Sequence, residues 1–329
     1  MWWWCFKKRT GLLLLTLGWV SLLATLSLPS SFQLHLPSDR QHPNGYLALD
    51  DDSKAYLAIC LAFKADTQEQ LEDLREWLMY YQGRGVERIY VMDNYEADSG
   101  IPALSTVSDL TSSGFVVYRH VPRLALNKFS LVSLFPWLLH RKNPQLEMYD
   151  MCLSEHKHQH RWMMFIDVDE FIAEPPSQTL TAILKEFEAA DVGGLVINWQ
   201  RMGSDNRVVR PVGGVLRSYT SCEPQLVNRH KTIVNTKYVT RALNPHFFAY
   251  VPGKYAVNIK SIRVDGFWSD PSGIDPENDL VLYHYQLKSL EDFHRKMAMG
   301  AADKSHKSMD FFYELHRSCV ASCTRLSSL

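Results

Sequence analysis

The stretch Trp162-Met163-Met164-Phe165-Ile166, followed by Asp167-Val168-Asp169-Glu170, constrains this chain more than any other. A continuous apolar run that stops in two carboxylates one residue apart reads as a buried strand. Its C-terminal end should open at a cleft, where α/β sheets bind ligands. In extended backbone, residues i and i+2 face the same way, so Asp167 and Asp169 are expected to present oxygens to one point while Val168 returns to the core. Two such carboxylates repel each other unless a cation lies between them, and hard ions such as Mn²⁺ or Mg²⁺ favour oxygen shells that include phosphate. The pattern predicts metal-assisted handling of a diphosphate; the plainer reading is that the acids solvate a strand end.

The chain has 329 residues, 46% of them hydrophobic, and a formal net charge of -1. That length supports one large α/β domain or two small ones, and the charge balance offers no field for nucleic acid. Residues 1–10 carry Trp2, Trp3 and Trp4, then Lys7, Lys8 and Arg9. Residues 11–28 contain no charge and span about 27 Å as a helix, enough for a bilayer core. Basic residues in front of this segment predict a cytoplasmic tail (1–10), a transmembrane signal-anchor (11–28) and translocation of everything beyond it. Small residues near Ser30 keep a cleaved signal peptide open as the alternative. Residues 29–54, with Pro29, Pro37, Pro43 and the acidic Asp50-Asp51-Asp52, read as a stem. The five cysteines after it then lie where disulfides form, and one of the five must stay unpaired within the chain. Cys319 and Cys323, at i,i+4 on a helix, suit a mutual bridge poorly, and Cys60 reads as a buried strand residue.

From Ala55 the pattern becomes regular. Apolar runs at 55–63, 88–92 and 115–118 alternate with helical patterns at 71–81 and 104–110 and with a helix opened by Asn143-Pro144. This alternation predicts a mainly parallel sheet with helices on its faces. Acids end successive strands, Asp66, Asp93 and then Asp167 with Asp169, and so share one rim. Further strands are expected at 194–198, 231–234 and 280–285, and Ser289-Leu290-Glu291-Asp292 is a capping box for a last helix. The main domain is therefore placed at 55–301, with a C-terminal tail at 302–329.

Several of these motifs occur in the order seen in a known family: Lys64-Ala65-Asp66, Glu76-Trp77, Tyr90-Val91-Met92-Asp93-Asn94, Gln145 with Tyr149-Asp150-Met151-Cys152-Leu153, and Phe165 to Phe171. After them come Asn198-Trp199, Met202-Gly203-Ser204, His230-Lys231-Thr232-Ile233-Val234 and His284-Tyr285 with Lys288-Ser289. The chain resembles the family 92 glycosyltransferases, formerly a domain of unknown function, over about residues 55–301. The resemblance implies a GT-A-like single domain and a UDP-sugar donor, best known as UDP-galactose. It further implies a glycan acceptor, a manganese-type cofactor, inversion at the sugar carbon and a Golgi type II membrane topology. Carried over, Asp167 and Asp169 become the metal and diphosphate pair, His284 a further metal ligand, Lys288 a partner for the phosphates and Asp93 a neighbour of the nucleoside. Lys64 and Asp66 fall at the nucleotide contact, where this chain has Lys-Ala-Asp in place of the family's Lys-Asn-Glu.

An inverting transfer needs a carboxylate to accept the acceptor's proton, and Asp205 is the candidate base. His156, His158 and His160 scatter around a helix axis and predict a solvated helix end in place of a zinc site. His230, Lys231 and Arg201 read either as ligands of acceptor or phosphate or as surface charge. The aromatic stretch 246–255 reads as a sugar platform or as core. Two other classes compete with the transferase: a glycan-binding protein on a degenerate transferase fold, and an Asp-x-Asp phosphohydrolase.

Overall fold

The computed structural model describes residues 53–96, 100–122, 143–299 and 308–328. The expected tail, anchor and nearly all of the stem (1–10, 11–28, 29–54) lie outside the described residues, as does part of 302–329. Among the described residues, no helix is long and apolar enough to cross a membrane.

Four strands, β1 (Ala55–Phe63), β2 (Arg88–Asp93), β3 (Val116–His120) and β4 (His160–Phe165), lie parallel in the order β3-β2-β1-β4. Their connections carry α1 (Gln68–Gln82), α2 (Leu104–Ser112) and α3 (Pro144–His156). The strands are apolar on both faces because both faces are covered. Leu57, Ile59 and Leu61 share a core with Leu71, Leu74, Trp77 and Leu78 of α1. Ala58 and Cys60 point the other way, towards Met148, Tyr149 and Cys152 of α3.

After Asp169 the chain forms β5 (Glu170–Ala173), α4 (Leu180–Ala189), β6 (Gly194–Arg201), α5 (Val215–Ser218), β7 (Ser221–Cys222) and β8 (His230–Asn235). Strand β8 runs antiparallel between β4 and β6, so β6 keeps the direction of the first four strands. A hairpin follows, β9 (Val239–Asn244) with β10 (Phe247–Tyr250), then β11 (Ala256–Asn258) and β12 (Arg263–Val264) complete the sheet edge. Next is β13 (Val281–His284), which pairs parallel to β6 and antiparallel to β5. The fold is thus mixed α/β with a mainly parallel central sheet.

Two helices close the chain, α6 (Leu290–Met299) and α7 (Met309–Ser318), with β14 (Ala321–Ser322) after them. The capping box at α6 is present: Asp292 N–H donates to the Ser289 hydroxyl at 3.0 Å, and that hydroxyl donates to the Asp292 carboxylate at 2.7 Å. The described residues 308–328 of the segment expected as a separate tail are part of the domain. Strand β14 pairs with β7, a disulfide joins Cys222 to Cys323, and Arg325 donates to the carbonyls of Glu174, Pro276 and Asp279. A second disulfide joins Cys60 to Cys152, so Cys60 is bonded as well as buried. Among the described residues, Cys319 is the free cysteine, and it is buried.

Candidate functional site

Strand β4 stops at Phe165, and residues Asp167 to Asp169 form a turn in place of the extended segment expected from the spacing, closed by Glu170 N–H to the Asp167 carbonyl at 3.1 Å. The turn redirects the chain from the main sheet into β5, and α1 holds it there. Trp77 Nε1 donates to the Glu170 carbonyl at 2.9 Å, and the Tyr81 hydroxyl accepts from Ile172 N–H at 3.0 Å. Because β13 pairs antiparallel with β5, His284 lies opposite Glu170, and Tyr285 N–H donates to the Asp169 carbonyl at 2.9 Å. Val168 packs partly against the core, as expected.

The carboxylates of the turn are each met by an ammonium. Lys231, a β8 residue whose side chain is 1% exposed, lies 2.8 Å from Asp167 Oδ2 and 3.5 Å from Glu170 Oε2. Gln145 Nε2 donates to the other Asp167 oxygen at 2.7 Å. Lys296, from α6, lies 2.7 Å from Asp169 Oδ2, and His284 Nε2 is 3.4 Å from Asp169 Oδ1. The Trp199 ring packs edge-on against His284 with centroids 4.2 Å apart.

Burial pushes all three carboxyls up, and their neighbours decide the outcome. Lys231 brings Asp167 below the usual carboxylate range despite the repulsion of Asp169. Lys296 and His284 bring Asp169 well below it. In Glu170, burial prevails over Lys231 and holds the carboxyl well above its ordinary value. Two lysines beside the three acids thus offset their mutual repulsion.

The donor set fits a hard divalent ion in part. Among the described residues, no group of three or more His, Cys, Asp or Glu side chains is gathered to hold a metal. Both oxygens of Asp167 are engaged, one by a lysine that burial keeps in place. Asp169 and His284 remain as a pair, and the charge beside Asp169 comes from Lys296, whose side chain is 36% exposed. Two protein donors suit an ion that completes its shell with water and phosphate oxygens.

The other expected residues are spread along the same rim or lie elsewhere. Asp93, at the end of β2, is buried and accepts from Ala103 N–H at 2.8 Å and from the Tyr118 hydroxyl at 3.0 Å, so it holds the loop that follows. Lys64 and Asp66 pair with each other at 3.0 Å. Lys288, in the left-handed region with φ 53, bonds through its ammonium to the buried Asp73 of α1, which also takes Arg210 at 2.6 Å. Asp205 accepts from Thr220 N–H at 2.7 Å and Ser221 N–H at 2.8 Å and from both of their hydroxyls. These bonds hold its carboxyl low against the effect of burial, and they make it a pin for its loop with little capacity left as a base.

The histidine trio is not a solvated helix end. His160 is a buried strand residue bonded to the Tyr90 hydroxyl at 2.8 Å, and His156 stacks on the Tyr90 ring. Arg201 forks onto Glu223 at 2.5 and 2.7 Å, and Phe248 from the 246–255 stretch is core, against Phe165. Sequence reasoning missed the roles of Glu170, Gln145 and Lys296. Glu170 carried a signal, an acid inside the apolar run; Lys296 is one cation among several on an amphipathic helix.

A family model described as Glycosyltransferase family 92 matches residues 55–313. Among curated proteins, the chain is 31% identical over 199 residues to a family 92 glycosyltransferase protein of Oryza sativa subsp. japonica, covering 58% of this chain and 30% of that one. It is 30% identical over 179 residues to one of Arabidopsis thaliana, covering 52% of this chain and 28% of that protein. It is 28% identical over 227 residues to one of Ricinus communis, covering 68% and 34%. The chain spans about a third of the length of these curated relatives. Among solved structures, S. aureus TarS 1–349 aligns over 74% of this chain and 64% of its own at 12% identity and a TM-score of 0.34, a likeness too slight to carry an argument. With the family match covering most of its length, the chain belongs to glycosyltransferase family 92.

Proposed function

We propose that this chain transfers a hexose, galactose by family resemblance, from a UDP-sugar to a glycan acceptor, with Mn²⁺ or Mg²⁺ held at Asp169 and His284. The observation that carries the reading is the turn after β4, where Asp167 and Asp169 meet Lys231, Lys296 and His284 on one rim. A bound divalent ion would supply Lewis-acid neutralisation of charge on the departing nucleotide. The chain's own residues do the rest. Lys231 and Gln145 hold and aim Asp167. Lys296, on a flexible four-carbon stem, can pass from Asp169 to a phosphate oxygen. Lys288 and Asp93 border the same rim and are assigned to the phosphates and the nucleoside. Asp205 is not given the base's role, because its oxygens are taken.

Residues 11–28 are proposed to anchor the protein in the Golgi membrane as a single-pass type II chain with a lumenal domain. The two disulfides, Cys60–Cys152 and Cys222–Cys323, support an oxidising compartment for that domain.

The test is calorimetry of UDP binding to the full chain in detergent, with and without Mn²⁺, beside Asp169→Asn and Lys231→Arg. The expected result is binding that requires Mn²⁺ and is lost in Asp169→Asn. A folded wild-type chain that ignores UDP in both conditions would remove the transferase reading and leave the glycan-binding protein in its place.

A further inference from the structure

Large aromatic rings left in water on a rigid mount call for an occupant. Phe267 and Trp268 are 40% and 49% exposed, with ring centroids 5.3 Å apart. The Arg229 guanidinium sits 3.9 Å from the Trp268 centroid and 5.4 Å from that of Phe267. The residue that follows them, Ser269, is buried and fixed from three directions. Its N–H donates to the Asn228 carbonyl at 2.8 Å, its hydroxyl donates to Asn198 Oδ1 at 3.1 Å, and its carbonyl accepts from Asn198 Nδ2 at 2.9 Å. Asn198, itself buried in β6, also donates to the Val227 carbonyl at 3.1 Å and so ties both loops to one strand. The exposed rings are therefore held in position by the sheet.

Register places this platform at the same end of the sheet as the acid turn. Phe165 of β4 opposes Thr232 of β8, which opposes Val196 of β6. Trp199, three residues further along β6, lies at the same end of the sheet as the acid turn, and its N–H donates to the Arg229 carbonyl at 2.9 Å. Arg229 precedes Lys231 by two residues, about 7 Å if the chain is extended. Lys231 holds Asp167, and Trp199 packs on His284. The aromatic pair thus lies at the same end of the sheet as the proposed donor site, joined to it through Arg229 and Trp199.

We infer that Trp268 and Phe267, with Arg229 beneath them, form the acceptor subsite and stack on a pyranose ring of a neutral glycan. This rests on the transferase reading above and adds the location of the acceptor. Aromatic faces suit the apolar C–H face of a sugar, and the guanidinium stacked on Trp268 braces the ring. The patch comprises two rings against Arg229; that size suits a sugar better than a membrane or a broad protein interface.

The test uses the full chain in detergent with Trp268→Ala, Phe267→Ala and Trp268→Phe, read out by UDP calorimetry with Mn²⁺ and by an array of neutral oligosaccharides. Trp268→Ala is expected to weaken glycan binding at least about fivefold and Trp268→Phe to retain most of it, with UDP binding unchanged in all three. Three results overturn the inference: glycan binding unaltered in both alanine variants, no neutral oligosaccharide bound by a wild-type chain that binds UDP, or Trp268-dependent binding to phosphatidylcholine vesicles in place of glycans. Wild-type chain that binds no UDP but loses glycan in Trp268→Ala would sink the transferase reading and leave the sugar platform standing.

Discussion

Replacing Lys231 with Met tests the electrostatic account of the site without any ligand. The substitution keeps most of the side chain's volume and removes the charge that sits 2.8 Å from Asp167 and 3.5 Å from Glu170. Removing one partner of a buried ion pair costs about 3–5 kcal/mol, because the other charge is left unpaired in poor solvent. Asp167 keeps 33% of its side chain exposed, so water screens part of that loss and the lower end, about 3 kcal/mol, applies. In a domain of this size, each kcal/mol lowers Tm by about 2–4 °C, so thermal melts followed by circular dichroism should show a drop of about 6–12 °C. The double variant Lys231→Met with Asp167→Asn carries no orphaned charge. It should regain about 1–2 kcal/mol over the sum of the two single changes. A Lys231→Met midpoint within about 2 °C of wild type, or strictly additive single changes, would refute the reasoning, for Lys231 would then not be what lets the acids coexist.

Two further outcomes follow from the packing. Cys222 and Cys323 are 101 residues apart in sequence, and their bridge fastens the C-terminal segment to β7; Cys323→Ser should cost about 2–5 kcal/mol in urea unfolding, and an unchanged midpoint would mean that Arg325 and β14 hold the segment alone. Burial lowers His160 to about 3 and His230 to about 4, so the folded state keeps both neutral while the unfolded chain takes protons near pH 6.5. Their contribution to stability is complete above about pH 6.5 and is lost as pH falls towards the folded values, at up to about 1.4 kcal/mol per pH unit for each ring. Urea titrations from pH 7 to 5 should show this decline, and His160→Gln should make it shallower; a slope of opposite sign would contradict it.

The parts of the fold carried by local pattern were legible, and those carried by pairing were not. The strand and helix runs from Ala55 to Phe165 could be read because βαβ connections and apolar strands fix a parallel sheet with few choices. The inversion of β8 could not, since an apolar run such as Thr232-Ile233-Val234 has no direction until its neighbours are known. The short strands β7, β11, β12 and β14 exist only through what they pair with, and the Cys222–Cys323 bridge depends on that pairing too.

The same distinction separates the site residues. Asp167 and Asp169 stand out in the sequence because two acids one residue apart end a continuous apolar run. Lys231 is ambiguous locally, since one cation at the start of a strand is ordinary surface chemistry when that strand lies at an edge. It becomes a buried counter-charge because β8 is inserted beside β4, which brings it to an acid 64 residues earlier in the chain. Asp205 shows the converse, for its position after β6 suggested a base, while the backbone of Thr220 and Ser221 takes up its oxygens. A charged residue at the boundary of an apolar strand is therefore a question about the adjacent strand. Here topology answers it: without β8 between β4 and β6, Asp167 would lose the buried Lys231 beside it, while Asp169 would keep Lys296.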